Sequence, residues 1–149
     1  MISPDLLQAE LVSILRATPA LTSQLPEAGQ GVREMQWKGT AFDYPNVRVE
    51  RPALTLQPNG GSCEHRVASA TVRVSVHSKQ DSSRTAQQIL GLVEDALVGR
   101  TIETAALRAT QLYIVGMAPV APADVAYASA PSGDIWTGTL SLSTIVSQR

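Results

Sequence analysis

The sequence predicts an α+β domain: an antiparallel or mixed β-sheet with two helices packed on it, in the order α-β-β-β-α-β-β, with a protruding β-hairpin. Two of the three observations behind this come from residues 72–97. Val72, Val74 and Val76 alternate with Arg73, Ser75 and His77, the two-residue period of a strand with one buried face. The period then lengthens. Ala86, Ile89, Leu90, Val93 and Leu97 recur at three- and four-residue spacing, one stripe of a helix. The third observation is the run 135–146, where Trp136, Leu140, Leu142 and Val146 oppose Thr137, Thr139, Ser141 and Ser143, with Ile145 as the exception. One-sided apolar elements of both kinds must bury those faces, and the natural place is against each other.

Residues 1–16 form the first predicted helix. Ser3 is placed as N-cap with Pro4 at N1, and Ile2 and Leu7 stand at hydrophobic-staple positions. Leu7, Leu11, Ile14 and Leu15 make the inward stripe, and Pro19 stops the helix. Residues 18–31 read as loop. Residues 32–37 read as a short strand, and 38–45 as a second loop. Residues 46–50 alternate again, Pro52 interrupts, and 53–57 continue the strand. Pro58-Asn59-Gly60-Gly61 is a turn signal that joins this run to a long strand, 64–78, as a hairpin. The small side chains of 67–71 suggest an arm that protrudes rather than packs. Asp81, Ser82 or Ser83 can cap the second helix and Gly99 can end it in the left-handed conformation. A strand is expected around 112–115, irregular chain over 118–123, and a strand over 125–129 turning at 131–134 into the last run.

A chain of 149 residues suggests one domain, 1–149. A monomer of this mass should keep roughly 7,000 Å² accessible. Charged residues are only 17%, replaced by Ser, Thr, Ala and Gln, which suits contact surfaces. The net charge of −1 and the absence of a basic stripe argue against a nucleic-acid binder. The single Cys63 excludes an internal disulfide and fits a reducing compartment. No signal-like start and no apolar run near eighteen residues is seen, so a soluble, non-secreted protein is expected.

No phosphate loop, dinucleotide fingerprint, zinc-protease or nucleophile-elbow motif occurs. Cys63 and His65 share a strand face with Glu64 opposite, and two ligands fall short of the four a structural zinc needs. His77 has the chemistry of a general base but no acid or nucleophile at telling spacing. Glu94 and Asp95 lie off the helix stripe, on a solvated face. No catalytic residue, metal or cofactor is expected. Arg33, Arg48, Arg51, Arg66 and Arg73 fall on strands and Arg84 opens the helix. Each alone reads as strand-face solvation. As a group they point to an interface, together with Asn59 and Gly60 at the hairpin turn and Trp37, Phe42 and Tyr44 around the second loop.

The layout resembles a known family. An N-terminal helix leads to Tyr44-Pro45-Asn46-Val47, a long strand ends in Val76-His77-Ser78, a helix follows, and the chain closes on 136–142 (WTGTLSL). This is similar to the tail terminator, or tail completion, proteins of tailed bacteriophages, including the tail-to-head joining proteins. The resemblance implies a hexameric ring of this chain on the head-proximal end of the tail tube. It implies tube and neck or connector proteins as partners, with the sheath protein added in a contractile tail. It implies no membrane and no specific nucleic-acid binding, although the genome would pass through the ring lumen. It places the protein at the tail–neck junction of the virion, assembled in the host bacterial cytoplasm, without catalysis. Two other readings stay open: another neck protein such as a stopper or adaptor, and a small α+β enzyme or ligand-binding domain.

Overall fold

The first helix, α1 (Pro4–Arg16), starts where the sequence places it: the Ser3 hydroxyl accepts from the Leu6 N–H at 3.4 Å and Pro4 fills the first turn. The computed structural model describes residues 3–37, 43–57, 66–79, 83–99, 104–130 and 133–148. Ile2, the outer half of the expected staple, lies outside them. Leu7, Leu11 and Leu15 are buried and Ile14 packs against them. The segment 18–31 is more ordered than a loop. It holds a short helix, α2 (Pro19–Thr22), and a 3-10 turn at Ala28–Gly31. Pro19 cannot continue α1 but is preorganised to open α2.

Seven strands form one sheet: β1 (Val32–Glu34), β2 (Asn46–Val49), β3 (Ala53–Leu56), β4 (Arg66–Ser78), β5 (Leu112–Pro119), β6 (Asp124–Ala130) and β7 (Gly133–Gln148). The α+β class is as expected, with more strands than expected. Pro52 divides the run 46–57 into two strands rather than interrupting one, and each of the three runs read in the last part of the chain is a strand, one more than the coarse element order counts. The spine is an antiparallel ladder of β4 and β7, paired from Arg66 opposite Gln148 to Ser78 opposite Trp136. Each spine strand is then flanked twice along its outer side. β2 pairs with the second half of β4 and β3 with the first half. β6 pairs with the first half of β7 and β5 with the second. β1 adds in parallel outside β2.

The alternation of 72–78 assigns the faces. Ala68, Ala70, Val72, Val74 and Val76 are buried on one face, and opposite them Leu140, Leu142 and Val146 do the same. On that face lie α1, against β1 and β2, and α3 (Arg84–Leu97), against β4 and β7. Its stripe of Ala86, Ile89, Leu90, Val93 and Leu97 is buried as the spacing requires. The small residues of 67–71 do not mark a protruding arm over the described length. Ala68 and Ala70 are packed between β3 and β7, because short side chains let the layers close.

Three end details complete this picture. Ser83 holds the N-cap position of α3 without a capping bond from its side chain, while Asp81 and Ser82 lie outside the described residues. Gly99 has φ +76 and ends α3 as expected, its N–H donating to Met117 O at 3.0 Å. An unanticipated helix, α4 (Ala105–Ala109), is capped by the Thr104 hydroxyl, which accepts from Leu107 N. β5 runs on through Pro119, where irregular chain was expected. A bulge at Gly116, φ +57, shifts the register so that Met117 turns back into the core.

Candidate interaction surface

The arginines do not act as one patch. Arg33 is buried: its Nε donates to Gln30 O at 2.7 Å, Glu27 lies 3.6 Å away, and the guanidinium sits 4.8 Å from the Trp37 ring centroid. Arg51 lies between β2 and β3 rather than on a strand, and its Nε reaches Asp5 at 2.8 Å. Both side chains are largely exposed, so this pair fastens the strand junction to α1 only weakly. Arg73 faces Glu50 across strands at 3.7 Å. Arg48 is half-buried and donates to Asn46 Oδ1 at 3.4 Å. Arg66 lies on β4 with its side chain outside the described residues, as are Phe42, Asn59 and Gly60 altogether. Trp37 is 43% exposed, at the rim of a 260 Å³ cleft against α1 that Arg16 and Arg33 also line. Tyr44 precedes a cis bond to the buried Pro45, and Lys79 Nζ lies 4.4 Å from its ring centroid.

His77 has no general-base environment. It faces Asn46 and Thr137 on the neighbouring strands. Burial first, and then the Arg48 charge, lower its pKa from 6.5 to about 4, so the ring is neutral near pH 7. Among the described residues no three His, Cys, Asp or Glu gather as a metal site, and Cys63, Glu64 and His65 lie outside them. Among the described residues no helix is long and apolar enough to cross a membrane.

The sheet itself supplies the surface that residue types alone did not show. On the face away from the helices, the half flanked by β3 and β5 carries no charged side chain among the described ones. Register places Val67, Ser69 and Thr71 of β4 there, beside Ser143, Ile145 and Ser147 of β7. Val115 and Ile145 lie directly opposite each other on it, 46% and 47% exposed. The other half of the same face carries Arg48, Glu50, Arg73 and His77. Of these features only Ile145, the odd residue in its run, signals itself in the sequence.

The four outer strands differ in how their edges are finished. At β1 the carbonyls of Val32 and Glu34 accept from Arg16 Nε and Trp37 N. β5 is bulged, ends in proline and is tied to the end of α3. β3 and β6 have neither bulge nor proline, and no further strand of the described residues lies beyond either.

Residues 9–117, more than half of the chain, match the profile of a family described as tail completion protein gp17. The protein belongs to the tail completion protein family. It is thus a structural protein of a phage tail, a virion component and not an enzyme, which removes the small-enzyme reading. A solved structure titled as the virion of a native gene transfer agent particle contains a chain of the same fold. The TM-score is 0.70 at 19% identity, over 95% of this chain and 94% of that one. A second solved chain, 20% identical, matches with a TM-score of 0.60 over 98% and 96%. Among curated proteins no relative matches. The family match ends at Met117, whereas the structural likeness covers 95% of the chain and so extends beyond it.

Proposed function

We propose that this tail completion protein forms a ring on the head-proximal end of the tail tube, where it ends tube growth and presents a docking surface to the neck. The observation that carries this is the uncharged half-face built on β3, β4, β7 and β5, with Val115 and Ile145 at its centre. Desolvating such a face costs no charge, which suits permanent association. The interface set Arg48, Arg51, Arg66, Arg73, Trp37, Phe42 and Tyr44 is proposed as the rim of those contacts, where charge tunes fit rather than strength. The hairpin turn containing Asn59 and Gly60 is proposed to reach the next subunit or the tube.

Particles assembled without the protein test the reading. Headless tails of unregulated length are expected. Tails of normal length that fail only at head joining would favour a stopper or adaptor instead. Deleting residues 58–64 is expected to weaken ring or tube binding, and an unchanged ring still on its tube would remove the hairpin from the account.

A further inference from the structure

We infer that neighbouring copies are joined edge to edge, β6 of one copy pairing antiparallel with β3 of the next. The inference rests on the ring reading and names the contact that closes the ring.

A ring built by rotation needs two unlike surfaces on each subunit, one to offer and one to receive. β3 lies beyond β4 and β6 lies beyond β7, on opposite sides of the sheet. An unfinished edge is a template for another strand, and proteins blunt edges they do not use with lysine, proline or bulges. β6 reads DVAYASA, with one charge at its start and none after it, and β3 reads ALTL. The edges of β1 and β5, finished as described above, are not available in this way.

Side-chain direction makes the two edges complementary. Register puts Leu54 and Leu56 opposite Ala70 and Ala68, on the helix-bearing face. Val125 and Tyr127 sit opposite Gly138 and Trp136, on the same face. Leu56 is 64% and Tyr127 51% exposed, and Tyr127 packs against Trp136 at 4.9 Å between ring centroids. Paired strands place their side chains on a common face. Joining β6 to a neighbour's β3 therefore brings Leu54 and Leu56 beside Val125 and Tyr127. On the opposite face that register sets Thr55 beside Ala126 and Asp124 beside Gln57. A slip of one residue would put leucine against that small, polar row, so the register is specified. The sense of pairing follows from the sheet. β3 and β6 run in opposite directions within one copy, and rotation brings them together antiparallel. They flank opposite ends of the β4–β7 ladder, so the ring closes with its strands inclined to the ring axis.

The test uses cysteines in full-length protein carrying Cys63→Ser. Leu54→Cys or Leu56→Cys is combined with Val125→Cys or Tyr127→Cys, four pairs that span the neighbouring registers. Under oxidation of assembled rings, at least one pair is expected to give a ladder of covalent multimers ending at the ring size, since facing strand positions come within disulfide reach. Leu56→Lys and Tyr127→Lys, each checked for an unchanged circular dichroism spectrum, are expected to lower the assembled fraction at least tenfold. Leu56 and Tyr127 are both exposed, so their pair keeps the test readable if the half-buried Leu54 or Val125 variants misfold. Rings that survive both lysines and cross-link in no pair overturn the edge contact and leave the ring standing. A wild-type protein that forms no ring, free or on tails, overturns both.

Discussion

The two faces of the β4–β7 ladder are built from the same strands yet do different work. Toward the helices stand Val72, Val74, Val76, Leu140, Leu142 and Val146, all buried on the face that carries α3. Away from them the same strands carry serine, threonine and the exposed Ile145. One face stores the stability of the fold, and the other is the one proposed for association. Charge separates the halves of that second face as well, since Arg48, Glu50 and Arg73 gather at one end and no charged side chain among the described ones lies at the other. On the proposed reading an alternating strand thus serves folding on even positions and partner contact on odd ones, and mutations should sort by parity.

The largest expected effect is Leu142→Ala, in the middle of the ladder under the helices. Removing a fully buried leucine side chain should cost about 2–5 kcal/mol in a denaturant melt. Gly138→Ala is expected to follow. A Cβ there would lie 2.5 Å from Leu90 Cδ1, and Leu90 is itself buried, so α3 or the side chain must shift, costing about 1–3 kcal/mol. Thermal melts of Gly138→Ala beside Gly91→Ala, where a Cβ meets nothing within 4 Å, isolate the steric part.

The third prediction concerns acid. Because folding lowers the His77 pKa from 6.5 to about 4, the unfolded chain binds a proton over that interval and the folded chain does not. Stability should therefore fall as pH drops from about 6.5 to about 4 and change no further through this group below that. Solvent screening of the half-buried ring keeps the effect on the order of 1 kcal/mol. His77→Gln should flatten that part of the pH–stability curve, and an unchanged slope would remove His77 as its source. The smallest stability effect belongs to Ile145→Ser on the uncovered face, within about 0.5 kcal/mol of wild type. Its consequence should appear instead as weaker assembly in light scattering. If Ile145→Ser destabilised the monomer as much as Leu142→Ala, the division of labour between the faces would be wrong.

Where one period runs uninterrupted, the sequence was legible. The spacing of Ala86 to Leu97 specifies the buried stripe of α3, and the valines of 72–76 specify the buried face of β4. The final run was assigned its inward face and its one outward apolar residue. Legibility failed where a residue's meaning depends on a distant neighbour. The alanines of β4 read as too small to pack, because nothing local shows that β3 and β7 enclose them. Residues 118–123 read as irregular, yet Pro119 ends β5, an outer strand whose bulge at Gly116 had already shifted the register. α4 has one buried residue, Leu107, too few to form a stripe, and only its Thr104 cap leaves a mark in the sequence. The arginines were legible by type but not by intramolecular partner, for the same reason. Their type is visible, but Glu27, Glu50 and Asp5, which occupy Arg33, Arg73 and Arg51, come together only in the fold.

The place of β7 between strands made before it also sets a clock on folding. β4 can zip with β2 and β3 from nearby chain, but it meets its main partner only at sequence separations of 58 to 82 residues, and among the described strands β5 and β6 pair only with β7. Distant pairing of this kind slows the search for the native state. Until β7 arrives, one side of β4 and the ladders of β5 and β6 stay unzipped, so the nascent chain is at its most adhesive just before β7 is made.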